Sequence, residues 1–265
     1  MALFSNMDIN WTTGNANESN TTTGVIVSES IVPPSLQYGF GVFGNIIAMV
    51  LLCRSSAQHK WKPFYKLVGA LAVTDFSNIA LVYPAVMLRY ISGFTFDFPK
   101  ELCEFCSFCF SFSFMSSAFI VSAMSLDRFL AVTFPILYRE SQGKRTTVTL
   151  VLIWAFTAIV SSLNLLGIGS VKNFYPGSWC FVDFANNGRL ERVNTYIYSI
   201  TGLIILSTTV MLNIAVVYSV SRKPKLSTSD KKRKRNDIFI IVFLFTIVTL
   251  FSICWVPLMV SGCSN

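Results

Sequence analysis

The sequence predicts an all-α membrane protein, a bundle of helices threading a bilayer, and three observations predict it. Hydrophobic residues make up 53% of the 265-residue chain and charged residues 13%, a balance unlike that of an ordinary soluble domain. The apolar residues gather in long runs of about 20, the length that carries a helix across roughly 30 Å of hydrocarbon. The charges that a soluble surface needs sit between those runs instead. Helix is the required form, because lipid satisfies no open backbone group and the runs lack the period-two alternation of barrel strands.

Residues 1–32 read as an extracellular, glycosylated tail rich in Ser, Thr and Asn and expected to be disordered. Met1 to Thr23 has neither a basic start nor an apolar core, so no signal peptide is expected there and the first apolar run targets itself. The bundle occupies 33–260, with spans near 33–53, 64–91, 103–134, 146–168, 194–220 and 237–260, and 261–265 is a short end. No internal repeat of the kind that builds transporters is visible.

Orientation follows from Lys and Arg. The loop after span one carries Arg54, Lys60 and Lys62, and the loop after span three carries Arg139, Lys144 and Arg145. The loop after span five carries Arg222, Lys223, Lys225 and the block Lys231 to Arg235. The opposite side holds only Arg89, Lys100, Lys172, Arg189 and Arg192, so the amino terminus is expected outside. Sequons at Asn10, Asn17 and Asn20 agree with that side. Six spans from an external start would return the chain's last residues to the outside.

Composition also excludes. The net charge of +8 does not point to nucleic acid, because the basic residues sit in loops rather than in a stripe interleaved with aromatics. The block Lys231 to Arg235 is explained by positive-inside topology and contact with anionic membrane lipids. Seven cysteines and one histidine, His59, give no zinc or haem spacing. Acid–base catalysis needs paired titratable groups, and the spans offer Asp75 no partner of that kind, so no enzyme is expected.

Polar groups inside the apolar runs are costly and therefore candidates for function. Asp75, mid-way along span two, reads either as a hydrogen-bonded structural carboxyl or as a ligand of a sodium ion together with a span-three hydroxyl, for which Ser117 is the candidate. No other cofactor is expected. Asp127 and Arg128 follow a run uncharged from Phe105 to Leu126. They read as snorkelling side chains or as a switch in which the arginine is held by its neighbour and released to a cytoplasmic partner. Pro33, Pro34, Pro84 and Pro257 remove backbone donors, and inside a span proline usually bends the helix. Pro257, beside Cys254 and Trp255, is a candidate hinge. Cys103 and Cys180 both lie on the outer side and are candidates for a disulfide. Cys53, Cys106, Cys109 and Cys254 read as buried apolar residues.

Taken in order, Gly44 and Asn45, then Leu71, Ala72 and Asp75, then Asp127, Arg128 and Phe129, then Trp154, then Cys254, Trp255 and Pro257 resemble the rhodopsin-like, G-protein-coupled receptor family. The outer loop from Gly167 through Tyr175, Pro176, Gly177, Ser178, Trp179 and Cys180 to Asp183 looks like the lid loop of prostanoid receptors. Span two, from Phe64 and Tyr65 through Asp75 to Tyr90, looks like that of the prostaglandin E receptors, most of all the Gs-coupled subtype. The similarity runs from about Gly39 to Val260.

The resemblance implies a helix bundle of the rhodopsin-like type with six of an expected seven spans present, at the plasma membrane. It implies a prostaglandin-like lipid ligand and a heterotrimeric G protein, Gs favoured, with a rise in cyclic AMP. It places Ser178 and Trp179 on the roof of the pocket, Tyr90 on a polar group of the ligand, and Val86 where the family often has a hydroxyl. A plug against the disulfide is the structural reading of Trp179. Phe129 stands where the family has tyrosine. The family's span-seven arginine, which pairs with the ligand carboxylate, and its inner Asp-Pro motif are not in this sequence. Arg89 reads as an interface anchor, with a substitute role at the pocket mouth as the second reading. Two other functional readings stay open here: a truncated, non-signalling receptor variant or incomplete gene model, and a six-span channel or transporter.

Overall fold

The structure, a computed structural model, describes residues 30–59, 63–139, 144–184 and 188–221, together with Val242, Phe245, Thr246, Val248, Thr249 and Ile253. The helices are α1 (Val32–His59), α2 (Pro63–Ile91), α3 (Lys100–Thr133), α4 (Pro135–Arg139), α5 (Lys144–Ser162) and α6 (Arg189–Ser221). Two strands, β1 (Val171–Phe174) and β2 (Trp179–Val182), lie between α5 and α6. Among the described residues five helices, α1, α2, α3, α5 and α6, are long and apolar enough to cross a membrane. They are the first five expected spans.

The sixth expected span, 237–260, lies largely outside the described residues. Those described within it are helical, and the hydroxyls of Thr246 and Thr249 donate to the carbonyls of Val242 and Phe245, one helical turn back. Val248 packs into the inner core. Asn10, Asn17, Asn20, the block Lys231 to Arg235, Cys254, Trp255, Pro257 and Cys263 lie outside the described residues.

Local chemistry sets where these helices begin and end. α1 starts at Val32, which puts Pro33 and Pro34 in its first turn, where a missing N–H costs nothing. α2 continues through Pro84. Span four is shorter as an α-helix than expected, ending at Ser162 rather than near 168. Beyond it Leu163 to Gly167 form turns, because Gly167 adopts φ +79° and closes the helix. The Ile168 amide bonds the Leu163 carbonyl and the Gly167 amide bonds that of Asn164, the paired pattern of a Schellman cap.

At the centre is α3, which packs against α2, α5, α6 and β2. Its buried face is rich in serine, including Ser111, Ser116, Ser117 and Ser125, and small hydroxylated residues let membrane helices approach closely and bond across the interface. Ser116 and Thr157 oxygens are 2.7 Å apart between α3 and α5, and Asn213 of α6 donates to Ser125 Oγ at 3.0 Å. An inner apolar cluster joins Phe64, Leu67, Ile120, Met124, Ile153 and Val248. An outer one joins Met115, Val160, Phe181, Phe184, Tyr198 and Ile205. Large apolar side chains such as Phe40, Ile47, Leu152, Ile159, Ile204 and Met211 point outward, as lipid contact requires. Cys53 is also exposed, against expectation, while Cys106 and Cys109 are buried. The reason is that α1 packs against α2 and none of its residues from 32 to 54 is fully buried.

Trp154 Nε1 on α5 donates to Thr74 Oγ1 on α2 at 3.2 Å. Trp154→Phe is expected to lower stability by about 1 kcal/mol, the scale of interhelical hydrogen bonds in bilayers, or roughly 2–4 °C in melting temperature. A thermal scan in nanodiscs with no shift would contradict that bond.

Candidate functional site

At the outer end, β1 and β2 form an antiparallel hairpin with Phe174 opposite Trp179 and Asn173 opposite Cys180. The sequence reading did not anticipate strands here, although the Tyr-Pro-Gly run at its tip is a turn signal. Gly177, at φ +87°, supplies the left-handed conformation the turn needs. The Cys103–Cys180 disulfide ties β2 to the start of α3 across 77 residues, so the hairpin is held as a lid over the bundle.

Ser178 is buried, and Trp179 stacks on Phe174 with ring centroids 4.8 Å apart and meets Phe110 edge-on. Trp179 Nε1 donates to the Tyr175 carbonyl at 3.4 Å. Val86 and Tyr90, one turn apart on α2, belong instead to a cluster with Cys106, Cys109, Cys103 and Cys180. The four expected ligand residues thus fall into two packed groups, Val86 and Tyr90 on the α2 side and Ser178 and Trp179 on the lid. Phe110 and the disulfide join the groups.

Arg89 is held by partners from the loop that follows α2. Its side chain is only 13% exposed and pairs with Asp97, which is 92% exposed, at 2.8 Å. It also donates to the Phe96 carbonyl and lies over the Phe94 ring. A Cβ on Gly177 would sit 3.3 Å from Arg89 Nη2, so the guanidinium lies beneath the lid turn. The loop after α2 folds back and supplies these acceptors.

Midway through the bundle, Ser117 Oγ donates to Asp75 Oδ1 at 2.7 Å. The structure therefore brings the two candidate sodium ligands together. Their oxygens suit a hard cation, and the Asn78 amide oxygen, one turn from Asp75, is buried with no partner among the described residues.

At the inner end, Arg128 Nη2 donates to Asp127 Oδ2 at 2.7 Å, and the guanidinium carbon lies 4.4 Å from the centre of the Phe64 ring. Tyr138 on α4 donates to Asp127 Oδ1 at 2.8 Å. Burial, and then the Asp127 carboxylate, push the Tyr138 phenol well above its usual range, so it remains a neutral donor at physiological pH. The Arg128 side chain is 17% exposed, so the pair is largely sheltered. The reading from sequence missed Tyr138 and Phe64. Pro135, which opens a short helix, was the available signal for Tyr138.

Beneath the lid, Gly169 has φ +141°, and a Cβ there would sit 2.4 Å from Asn194 Nδ2 and 2.5 Å from Asn164 Oδ1. Those two atoms share a 2.6 Å hydrogen bond. Gly169→Ala is expected to cost roughly 2–3 kcal/mol through backbone strain and loss of that bond. Melting of the variant beside the parent checks this, and an equal melting temperature would contradict it.

Residues 44–265 match the model of the 7 transmembrane receptor (rhodopsin family). The prostaglandin E2 receptor EP4 subtype of Pan troglodytes is 33% identical over 214 residues, covering 76% of this chain and 43% of that protein, and that of Homo sapiens gives the same figures. The prostacyclin receptor of Mus musculus is 29% identical over 250 residues, covering 89% of this chain and 60% of that protein. The chain thus spans less than half the length of the EP4 relatives. Squid rhodopsin shares the fold, with a TM-score of 0.74 at 18% identity over 85% of this chain and 64% of that one. The prostaglandin E2 and prostacyclin relatives are receptors by name. The chain belongs to the rhodopsin family of seven-transmembrane receptors.

Proposed function

We propose that the protein containing this chain is a receptor for a prostaglandin-like lipid, prostaglandin E in particular, which raises cyclic AMP through a G protein of the Gs class. The observation that carries this reading is the disulfide-held lid, with Ser178 and Trp179 on its turn and second strand and Tyr90 and Val86 below. It supports a ligand that leaves one low-dielectric surroundings for another, for which an apolar, covered pocket with a few polar anchors is suited. Similarity to the prostaglandin E2 receptor EP4 subtype points to the same ligand class.

The inner pair supports the signalling half of the reading. Asp127, itself bonded by Tyr138, holds Arg128 in the described arrangement. The ligand favours the arrangement that frees Arg128 by binding it more tightly, which is the only way binding shifts such an equilibrium. The arginine and the basic inner loop between spans five and six then meet the G protein. A sodium ion on Asp75 and Ser117 stabilises the resting arrangement. The three tail sequons carry glycans on the outside.

Radiolabelled prostaglandin E2 binding to membranes that contain the full-length protein tests the ligand. Saturable binding displaced by unlabelled prostaglandin E2 is expected, and none above that of untransfected membranes, with the protein at the surface, would overturn the reading.

A further inference from the structure

The outer halves of α3, α5 and α6 bury a set of polar side chains that bond to almost nothing. From α3 come Ser107 and Ser111, one turn apart, from the end of α5 comes Ser161, and from the turn beyond it Asn164; all are at most 5% exposed. α6 contributes Asn194 and Tyr198 one turn apart, and beside them Thr195 and Ser199, again at most 4% exposed. One direct hydrogen bond, Asn194 to Asn164, joins two of these groups. Among the described residues the remaining amide atoms, Asn164 Nδ2 and Asn194 Oδ1, and the hydroxyls of Ser107, Thr195 and Ser199 have no partner, while those of Tyr198, Ser111 and Ser161 face one another without reaching hydrogen-bond geometry. Tyr198 sits beside Ser111 and Ser161, so the three helices converge on its hydroxyl. Gly169 closes the site from above, against both asparagines.

So many unpaired groups are not left dry in a folded interior, because each gives up its water without compensation. Their chemistry selects the occupant. Asn164 Nδ2 only donates, Asn194 Oδ1 only accepts, and the hydroxyls do both. None of the groups is charged, so a carboxylate would enter without a counter-charge and be expelled. A ketone or ether could not serve Asn194 Oδ1, since it has no proton to give.

We propose that this junction is a binding site for neutral hydroxyl oxygens, occupied by a small cluster of water and open to an alcohol group of a lipid ligand. Water molecules making about three hydrogen bonds each would satisfy the set with roughly three molecules. They bridge α3, α5 and α6 directly under the lid. There the helices are linked through solvent, whereas one layer deeper Ser116 and Thr157 meet directly.

Hydroxyl-radical footprinting of the full-length receptor in nanodiscs tests this, because radicals made from bound water label the side chains that touch it. Met115 packs with Tyr198 in the outer cluster, and Met124 is equally buried but lies in the inner apolar one. Without ligand, Met115 and Tyr198 are expected to label several-fold faster than Met124. The double variant Ser111→Ala, Ser161→Ala is expected to slow Met115 labelling toward the Met124 rate and leave Met124 unchanged. Equal, slow labelling of Met115 and Met124, or no effect of the double variant, would overturn the proposal. Saturating prostaglandin E2 separates the sources: slower Met115 labelling identifies a lipid hydroxyl in place of water, and an unchanged rate identifies water as the resident. Only this last arm rests on the proposed ligand, so a failure to bind prostaglandin E2 leaves the ligand-free comparison intact.

Discussion

Cys103→Ser is expected to lower the melting temperature of the receptor by roughly 10–15 °C, from a loss of roughly 4.5 kcal/mol in the chain-entropy model. The estimate follows from the length of chain the bridge closes, 77 residues between the two cysteines. The bridge also fixes the lid in place. β2 contributes Phe181 and Val182 to the outer cluster, and Cys180 itself is fully buried against α2 and α3. The single serine leaves Cys180 as a buried thiol without its bond, so Cys180→Ser and the double variant are expected to melt with Cys103→Ser. Thermal scans of all three in nanodiscs check this. A parent and a variant that melt together would show that the lid is held by packing alone.

Asp127→Asn is expected to raise signalling in the absence of ligand by roughly tenfold, while Arg128→Ala abolishes coupling. The first figure follows from a charge-assisted pair in a half-buried setting, whose loss of about 1.4 kcal/mol corresponds to a factor of ten in the population of the released arrangement. Asparagine keeps an acceptor for Tyr138 and removes the charge that holds Arg128, so the variant isolates the ion pair from the fold. Tyr138→Phe removes the second contact on Asp127 and is expected to act in the same direction, more weakly. Basal cyclic AMP at matched surface expression is the measurement. An Asp127→Asn receptor as quiet as its parent would sink the switch reading while leaving the fold untouched.

Much of the fold was legible because lipid imposes strict rules on sequence. An apolar run long enough to span has one available form, and the loops between runs sort by charge, so α1, α2, α3 and α6 lie close to their expected ranges. Span four departs because its end is decided by one glycine. Gly167 adopts a left-handed backbone, and hydropathy does not report φ. The lid hairpin was hidden for a related reason. Its strands are four residues each and stand on pairing, the disulfide and aromatic stacking, all contacts between residues distant in sequence or across a turn.

The candidate site was legible in part. Asp75, Asp127 and Arg128 announced themselves by the cost of charge inside apolar runs, and each has a named partner in the structure. Tyr138 and Phe64 did not, because a tyrosine in an inner loop and a phenylalanine at a helix start are ordinary residues until folding puts them on Asp127 and Arg128. The partners of Arg89 were hidden for the same reason, since its acceptors come from a loop that folds back over it. The hydroxyl cluster around Tyr198 escaped notice because serines and threonines spaced along apolar helices look like close-packing residues until their partners are counted.

Cyclic AMP in cells that display the full-length protein, measured across a range of prostaglandin E2 concentrations, tests the reading as a whole. A saturable rise that Arg128→Ala removes without loss of surface display is the expected result. Cells that display the protein and answer neither prostaglandin E2 nor any other prostanoid would contradict it.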